Sequence, residues 1–249
     1  LRGNVGLYYA RIPGLNLASS RSTNGSVGMT YSNFGPQGVP GFGSQLPDNV
    51  APSAVFLPDV FVFDKNFQNP RTLSAAIAYE WQVGADLGLL LSYTHAKTDH
   101  NTRFINRNDA KFFGSPWGSQ LTGAADPNGV FTLTTVESSA RSTFNGVTVG
   151  LKRVLDPNFQ FQVNYTLSWD KSDDDNERDP FTFRYARPDQ LEHEYNWSDR
   201  DQRHRFNGWV VKHIGGGLFL NSRLSIYSAQ PVSEKCGTNN QGNGQRAGT

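Results

Sequence analysis

The sequence predicts an antiparallel β-barrel that spans a membrane, and three observations support this prediction. Apolar and polar residues alternate with a period of two over several long stretches of the chain. Short turns join some of these stretches, whereas long polar segments join the others. The composition, with 25 Gly and 12% aromatic residues but one Met and one Cys, favours strands and turns over helices. No segment has the continuous apolar run that a membrane helix requires.

The clearest strand runs from residue 159 to residue 170. Its odd positions are all apolar and its even positions are all polar. Such a strand has one apolar face and one polar face. Phe159 and Trp169 stand at the two ends of the apolar face. Aromatic rings at both ends of an apolar band about ten residues long are typical of a lipid-facing barrel strand, because these rings prefer the membrane interfaces.

The same alternation predicts seven antiparallel membrane strands. They lie near residues 1–10, 71–83, 87–97, 141–154, 159–170, 202–214 and 217–229. Short turns follow the second, fourth and sixth of them, whereas the other connections are long and polar. In outer-membrane barrels the short turns are periplasmic and the long loops extracellular, so this asymmetry orients the strands. A soluble β-sandwich with long loops at one end is the alternative fold.

Several function classes receive no support from the sequence. The net charge of +1 argues against a nucleic-acid surface, which needs a basic excess. The histidines lack a paired metal-ligand spacing, and no Ser lies in a Gly-x-Ser-x-Gly turn. Cys236 is the only cysteine and cannot form an internal disulfide. We therefore expect neither enzymatic activity nor a nucleic-acid partner.

Two polar loops contain candidate ligand contacts. Asp173, Asp174 and Asp175 offer the oxygen ligands that calcium prefers, although the EF-hand spacing is missing and a solvated acidic loop is the alternative. Aromatic side chains in the long loops are candidate contacts for a ligand, and loop packing explains them equally well. They are Trp117, Phe181, Phe183 and Tyr185.

Arg203 and Arg205 are candidate members of a polar network in the barrel lumen. Alternate residues of a strand point to opposite faces, so these two arginines are expected to share one face and His204 to lie on the other. We therefore predict ion pairs between the arginines and acids of neighbouring strands, rather than a catalytic or metal cluster around His204.

Four segments of the chain resemble the barrel of Oar-like TonB-dependent receptors. They are residues 6–14, 64–71, 144–149 and 197–206, and the run Asp-Gln-Arg-His-Arg-Phe at 201–206 is the most specific. The resemblance implies a bacterial outer-membrane barrel, closed by a plug on which a TonB-type inner-membrane complex pulls. The 249 residues contain no plug, coupling box or closing strand. We therefore expect residues 1–249 to form part of a single barrel domain within a longer protein.

The resulting functional hypothesis is energy-coupled passage of a bulky ligand across the outer membrane. The ligand class is open among peptide, protein and glycan, and the expected partners are outer-membrane lipid and the TonB-type complex. No cofactor is expected unless the acidic loop binds calcium. A passive porin or a surface adhesin is the alternative, and a secreted β-sandwich that binds carbohydrate is a third possibility.

Overall fold

A computed structural model describes residues 1–28, 58–117, 129–174, 185 and 187–232. Nine strands are present in this part of the chain: β1 (Arg2–Tyr9), β2 (Asp59–Phe63), β3 (Arg71–Val83), β4 (Leu87–Asn106), β5 (Thr132–Arg153), β6 (Phe159–Ser172), β7 (Asn196–Trp197), β8 (His204–Gly215) and β9 (Leu218–Tyr227). The helical elements are α1 (Gly14–Ser22), α2 (Ala110–Phe113) and a 3-10 turn (Leu191–Glu194). Among the described residues, no helix is both long and apolar enough to cross a membrane.

All nine strands belong to one sheet. Seven of them form an antiparallel path in the order β1-β3-β4-β5-β6-β8-β9. This path confirms the seven predicted strands and their antiparallel pairing. The sequence does not predict the other two strands: β2 pairs in parallel with β5, and β7 pairs with the end of β6. Because the described strands form a single sheet, its two faces keep the separate characters that the alternation gives them.

The strand register aligns like residues across the sheet. Val163 of β6 lies opposite Leu151 of β5 and Gly208 of β8. On the other face Thr166 lies opposite Thr148, and their hydroxyl oxygens are 2.8 Å apart. We call the face that carries Val163 the apolar face and the opposite one the polar face. Each extends over several strands because the alternation continues in register from strand to strand.

The apolar face remains uncovered by the described residues. Ile77 is 51% exposed and Leu224 is 53% exposed, although both are large apolar residues within strands. A β-sandwich would cover this face with a second sheet, but every described strand belongs to the same sheet. An apolar surface of this extent is what a lipid-facing barrel wall presents.

Strands β4 and β5 are longer than predicted. They have 20 and 22 residues, and β4 alone measures about 65 Å at the usual rise per residue. The hydrocarbon core of a membrane is about 30 Å thick, so both strands continue well beyond it. Their register shifts between Thr98 and Asn101, and His100 between them has a φ of 63°. The predicted ends at residues 97 and 141 mark this shift rather than the ends of the strands.

The last residues of β4 and the first residues of β5 lie beyond the register shift, at the end of the strands with the long connections. We call these the upper parts of the two strands, and they form a compact extracellular structure. Phe104 and Val136 are buried there with Phe61 of β2, and the ring centroids of Phe61 and Phe104 are 6.2 Å apart. Strand β2 lies beside the upper part of β5, above the point where β6 ends. The backbone amide of Phe61 also donates a hydrogen bond to Thr23 O at 2.8 Å, just after α1. We call residues 58–63, 101–117 and 129–141 the extracellular module.

The isolated chain is expected not to form a stable membrane monomer. Strands β1 and β9 lie at the two ends of the strand path and do not pair with each other among the described residues. Lipid cannot satisfy their free backbone donors and acceptors. Residues 1–249 refolded with detergent or lipid should therefore give aggregates or oligomers on gels run without boiling. A monomer that inserts into bilayers and resists heat would contradict this expectation.

Candidate functional site

A buried ion pair joins the extracellular module to the membrane part of the sheet. Arg103 Nη2 lies 2.9 Å from Asp173 Oδ1, and these side chains are only 2% and 6% exposed. The same guanidinium donates to the carbonyl oxygen of Asp173 at 3.2 Å, and the backbone amide of Arg141 donates to Asp173 Oδ1 at 2.7 Å. The pair thereby connects β4 and β5 with the residue that directly follows β6. A charge buried this deeply is stable only while its partner is present.

Tyr185 completes this junction. Its ring lies 5.2 Å from the guanidinium carbon of Arg103, and its hydroxyl donates a hydrogen bond to Asp174 Oδ2. Burial, together with the negative charge of Asp174, raises the pKa of Tyr185 well above its usual range. The hydroxyl therefore stays protonated and acts as a donor at neutral pH. The predicted role of Tyr185 in ligand contact stays a prediction, because its present contacts are with the protein itself.

A calcium ion at Asp173 would have to displace two arginines. Both carboxylate oxygens of Asp173 face arginines, since Oδ2 also lies 3.6 Å from Arg141 Nε. Asp174 accepts the hydroxyl of Tyr185. Within the described ranges, no cluster of three or more His, Cys, Asp or Glu side chains is arranged to hold a metal. Asp175 lies outside the described residues.

Of the two predicted aromatic contacts that lie within the described residues, Trp117 and Tyr185, Trp117 is accessible. Its backbone is fixed in the extracellular module, because its amide donates to Asn108 Oδ1 at 3.0 Å and its carbonyl accepts from the amide of Val130 at 2.8 Å. Its side chain is nevertheless 46% exposed. A ligand that approaches from outside would meet this ring. Phe181, Phe183 and Cys236 lie outside the described residues.

The structure separates Arg203 from Arg205, contrary to the prediction that they share a face. Strand β8 begins only at His204, so the strict alternation does not extend to Arg203. The guanidinium of Arg203 lies 5.9 Å from the ring of Trp169, a residue of the apolar face, and its acid partner is Asp201 at 2.8 Å. Arg205 lies opposite Thr166, on the polar face, and its buried Nε has no hydrogen-bond partner in the described part of the chain.

The polar face carries a groove that the sequence alone does not predict. One depression of about 390 Å³ is lined by Gln162, Asn164, Asn207, Gly208, Trp209 and Arg223. A second, of about 380 Å³, shares Gln162 and Asn164 with the first and adds Arg2, Glu80 and Lys152 among its lining residues. We call the two together the lumenal groove. Its residues come from strands that are far apart in the chain, so only the strand register brings them together.

The lumenal groove is chemically suited to polar ligands. The amides of Gln162, Asn164 and Asn207 can both donate and accept hydrogen bonds. Trp209 adds an aromatic ring. At Gly150 the groove has no side chain, and a Cβ there would lie 2.5 Å from Asn164 Oδ1. Glu80 is neutralised by Arg2 at 2.8 Å, which leaves Lys152 and Arg223 as the other charged side chains of the lining. Amide, aromatic and cationic side chains of this kind form hydrogen bonds and stacking contacts with polar ligands.

Comparisons with known proteins agree with the geometry. A family model described as an outer membrane beta barrel domain matches residues 1–247. Among solved structures, the outer membrane transporter YddB from Escherichia coli is similar with a TM-score of 0.51 and 10% sequence identity, over 76% of this chain. At this identity the similarity concerns the fold, and the chain spans only 24% of the length of that transporter. No curated protein matches the sequence.

Proposed function

Because the chain belongs to the family of outer membrane beta barrel domains, we propose that it forms part of the barrel wall of an Oar-like TonB-dependent receptor. Family membership places the chain in the bacterial outer membrane. The proposal adds that the complete barrel moves a bulky ligand across this membrane with energy supplied from the inner membrane. The chain's residues would bind and guide the ligand, and no enzymatic step is involved.

The lumenal groove is the observation that carries this proposal. A barrel wall that presents hydrogen-bonding side chains and cations to its lumen can contact a polar ligand during passage. Here the amides, Trp209 and the cations Lys152 and Arg223 lie on the polar face of the membrane strands. The ligand would be a peptide, a protein or a glycan, since these groups recognise sugars and peptide backbones alike.

The proposed sequence of events follows the arrangement of the two surfaces. The extracellular module, with the exposed ring of Trp117, meets the ligand first. The lumenal groove receives it next, once a plug elsewhere in the full-length protein has been displaced by the TonB-type complex. The resemblance to Oar-like receptors supports the plug and the coupling, and the similarity in fold to an outer membrane transporter agrees with passage through the barrel.

One observation favours a surface adhesin as the second candidate. The extracellular module has its own buried core around Phe61, Phe104 and Val136, so it is a folded structure rather than a loose loop. Such a module can hold a partner at the cell surface without any passage through the lumen. A passive porin would also have the lumenal groove, but passage through it would not depend on energy.

Uptake measurements can separate these candidates. Cells that produce the full-length protein are given fluorescent dextran or a fluorescent tryptic peptide mixture, with and without a protonophore. The receptor proposal expects accumulation of one probe class that the protonophore abolishes. Trp209→Ala should lower this uptake on the order of tenfold through loss of one aromatic contact. Trp81→Ala, a matched change on the apolar face, should leave the uptake unchanged.

The other outcomes contradict the receptor proposal in different ways. Uptake that persists in the protonophore would identify a porin. Surface binding without accumulation, insensitive to Trp209→Ala but lost in Trp117→Ala, would identify an adhesin. If neither the dextran nor the peptide mixture bound to the cells or entered them, peptides and glycans would be excluded as ligands.

A further inference from the structure

Two cations share one indole ring at the extracellular end of the apolar face. Lys171 of β6 lies opposite Trp197 of β7, and its Nζ is 4.6 Å from the centroid of the Trp197 ring. The guanidinium carbon of Arg203 lies 4.2 Å from the same ring. Contacts of this kind hold a cation in place while leaving most of its hydrogen-bond donors free.

Further cations lie at the same level on the neighbouring strands. Lys97 of β4 and Lys171 of β6 both align with Thr143 of β5, so they lie in one row across the sheet. Arg71 lies opposite Asp99, two residues beyond Lys97, and Arg141 lies two residues from Thr143 within β5, so the alternation places both on this side. We call these five cations the cationic rim: Arg71, Lys97, Arg141, Lys171 and Arg203.

The acids at this level neutralise the rim only in part, and Asp201 pairs with Arg203 at 2.8 Å. Asp99 serves both Arg71, at 3.8 Å, and Lys97, at 3.6 Å. Asp173 lies 3.6 Å from Arg141 but is already paired with the buried Arg103. Lys171 has no acid within ion-pairing distance in the described part of the chain. The rim therefore keeps a net positive charge.

Aromatic residues of the apolar face indicate where the rim lies relative to the membrane. On the apolar face, Trp169 is the position next to Lys171, and Tyr93 and Tyr165 lie further toward the middle of the strands, four residues from Lys97 and six residues from Lys171. Tyrosine and tryptophan side chains concentrate where the hydrocarbon core meets the headgroups. The long connections put this end of the strands outside the cell. The rim thus lies at the headgroup level of the outer leaflet, facing lipid.

We infer that the cationic rim binds the phosphate groups of the phosphorylated glycolipid that forms the outer leaflet, lipid A. Phosphate is the anion available at that depth, and guanidinium and ammonium groups are its strongest side-chain donors. Arg203 and Lys171, both fixed against Trp197, form the centre of the site. This inference depends on the placement of the chain in the outer membrane and is independent of whether the barrel transports a ligand.

The test compares lipid A binding to full-length protein variants. The protein is purified from outer membranes, delipidated in mild detergent, and titrated with diphosphoryl lipid A while bound lipid is counted by native mass spectrometry. Lys171→Gln with Arg203→Gln should weaken binding on the order of tenfold or more, since each cation near an anionic lipid surface contributes about fivefold. Lys171→Arg should retain binding, because the charge is kept.

Controls separate a specific site from general attraction. Lys212→Gln removes a cation near the opposite end of the strands, where Lys212 lies opposite Phe159, and should leave the affinity unchanged. Dephosphorylated lipid A should bind more weakly than the diphosphoryl form. Unaltered gel mobility before and after heating shows that each variant is folded. The inference is overturned if the double variant keeps its affinity, if dephosphorylated lipid A binds equally well, or if phosphatidylglycerol competes as strongly as lipid A.

Discussion

Asp173→Ala is expected to destabilise the extracellular module by roughly 3 to 5 kcal/mol, the usual effect of leaving a buried charge without its partner. Arg103 would remain 2% exposed while losing the carboxylate 2.9 Å away. The loss should appear as faster amide hydrogen exchange in residues 101–106 and 132–141 and as new protease cleavage there. The membrane strands should exchange as before, because their pairing does not involve this ion pair.

Two further variants make this expectation specific. Asp99→Ala removes an acid that contacts Arg71 and Lys97 on the surface, and it should cost less than about 1 kcal/mol. Combining Asp173→Ala with Arg103→Met should recover much of the lost stability, since an apolar side chain needs no counter-charge. If Asp99→Ala and Asp173→Ala had equal effects, the ion pair would not be what joins the module to the sheet.

Val163→Lys is expected to lower the free energy of unfolding from bilayers by roughly 2 to 4 kcal/mol, the cost of a lysine near the bilayer midplane. Val163 lies in the middle of the apolar face, between Leu151 and Gly208 on the adjacent strands. Asn164→Lys is the matched control, because Asn164 is the next residue and lines the lumenal groove. This change should stay within about 0.5 kcal/mol, as at other hydrated positions.

Fluorescence quenching distinguishes a membrane wall from a soluble sheet. This second measurement is needed because Val163→Lys would also lower the free energy of unfolding of a soluble sheet. A fluorophore on a cysteine at position 163 should be quenched by nitroxide-labelled lipid in the full-length protein. The same fluorophore at Gln162, on the polar face, should be shielded. Equal quenching at both positions, or none at either, would show that β6 does not line a membrane barrel.

The membrane part of the fold is predictable because each of its strands has two different surroundings. Lipid on one side and water on the other produce the period-two pattern, and this pattern identifies all seven strands. The upper parts of β4 and β5 lack this contrast, since residues 101–106 are buried throughout. Strand β2 has only five residues, two of them buried, and follows directly after Pro58. Neither segment shows an alternation long enough to recognise.

The candidate sites are harder to predict than the strands. The acidic run marks Asp173 as an unusual residue, but its partner Arg103 lies in a stretch whose sequence predicts a loop. The environment of Arg203 depends on where β8 begins. Because β8 begins at His204, the alternation of the strand does not determine the face on which the Arg203 side chain lies. The lumenal groove joins Arg2, Gln162 and Arg223 through the strand register, and no local sequence signal reports such a combination.

The parallel pairing of β2 with β5 has a consequence for the order of folding. Asp59 must find Thr132 across the intervening β3 and β4, whereas Val83 and Leu87 meet across a tight turn. Closing the longer loop costs more chain entropy, so distant pairings form after local hairpins. We therefore expect the hairpins of the membrane wall to assemble first and the extracellular module to reach its final packing last, after its strands have been carried to the cell surface.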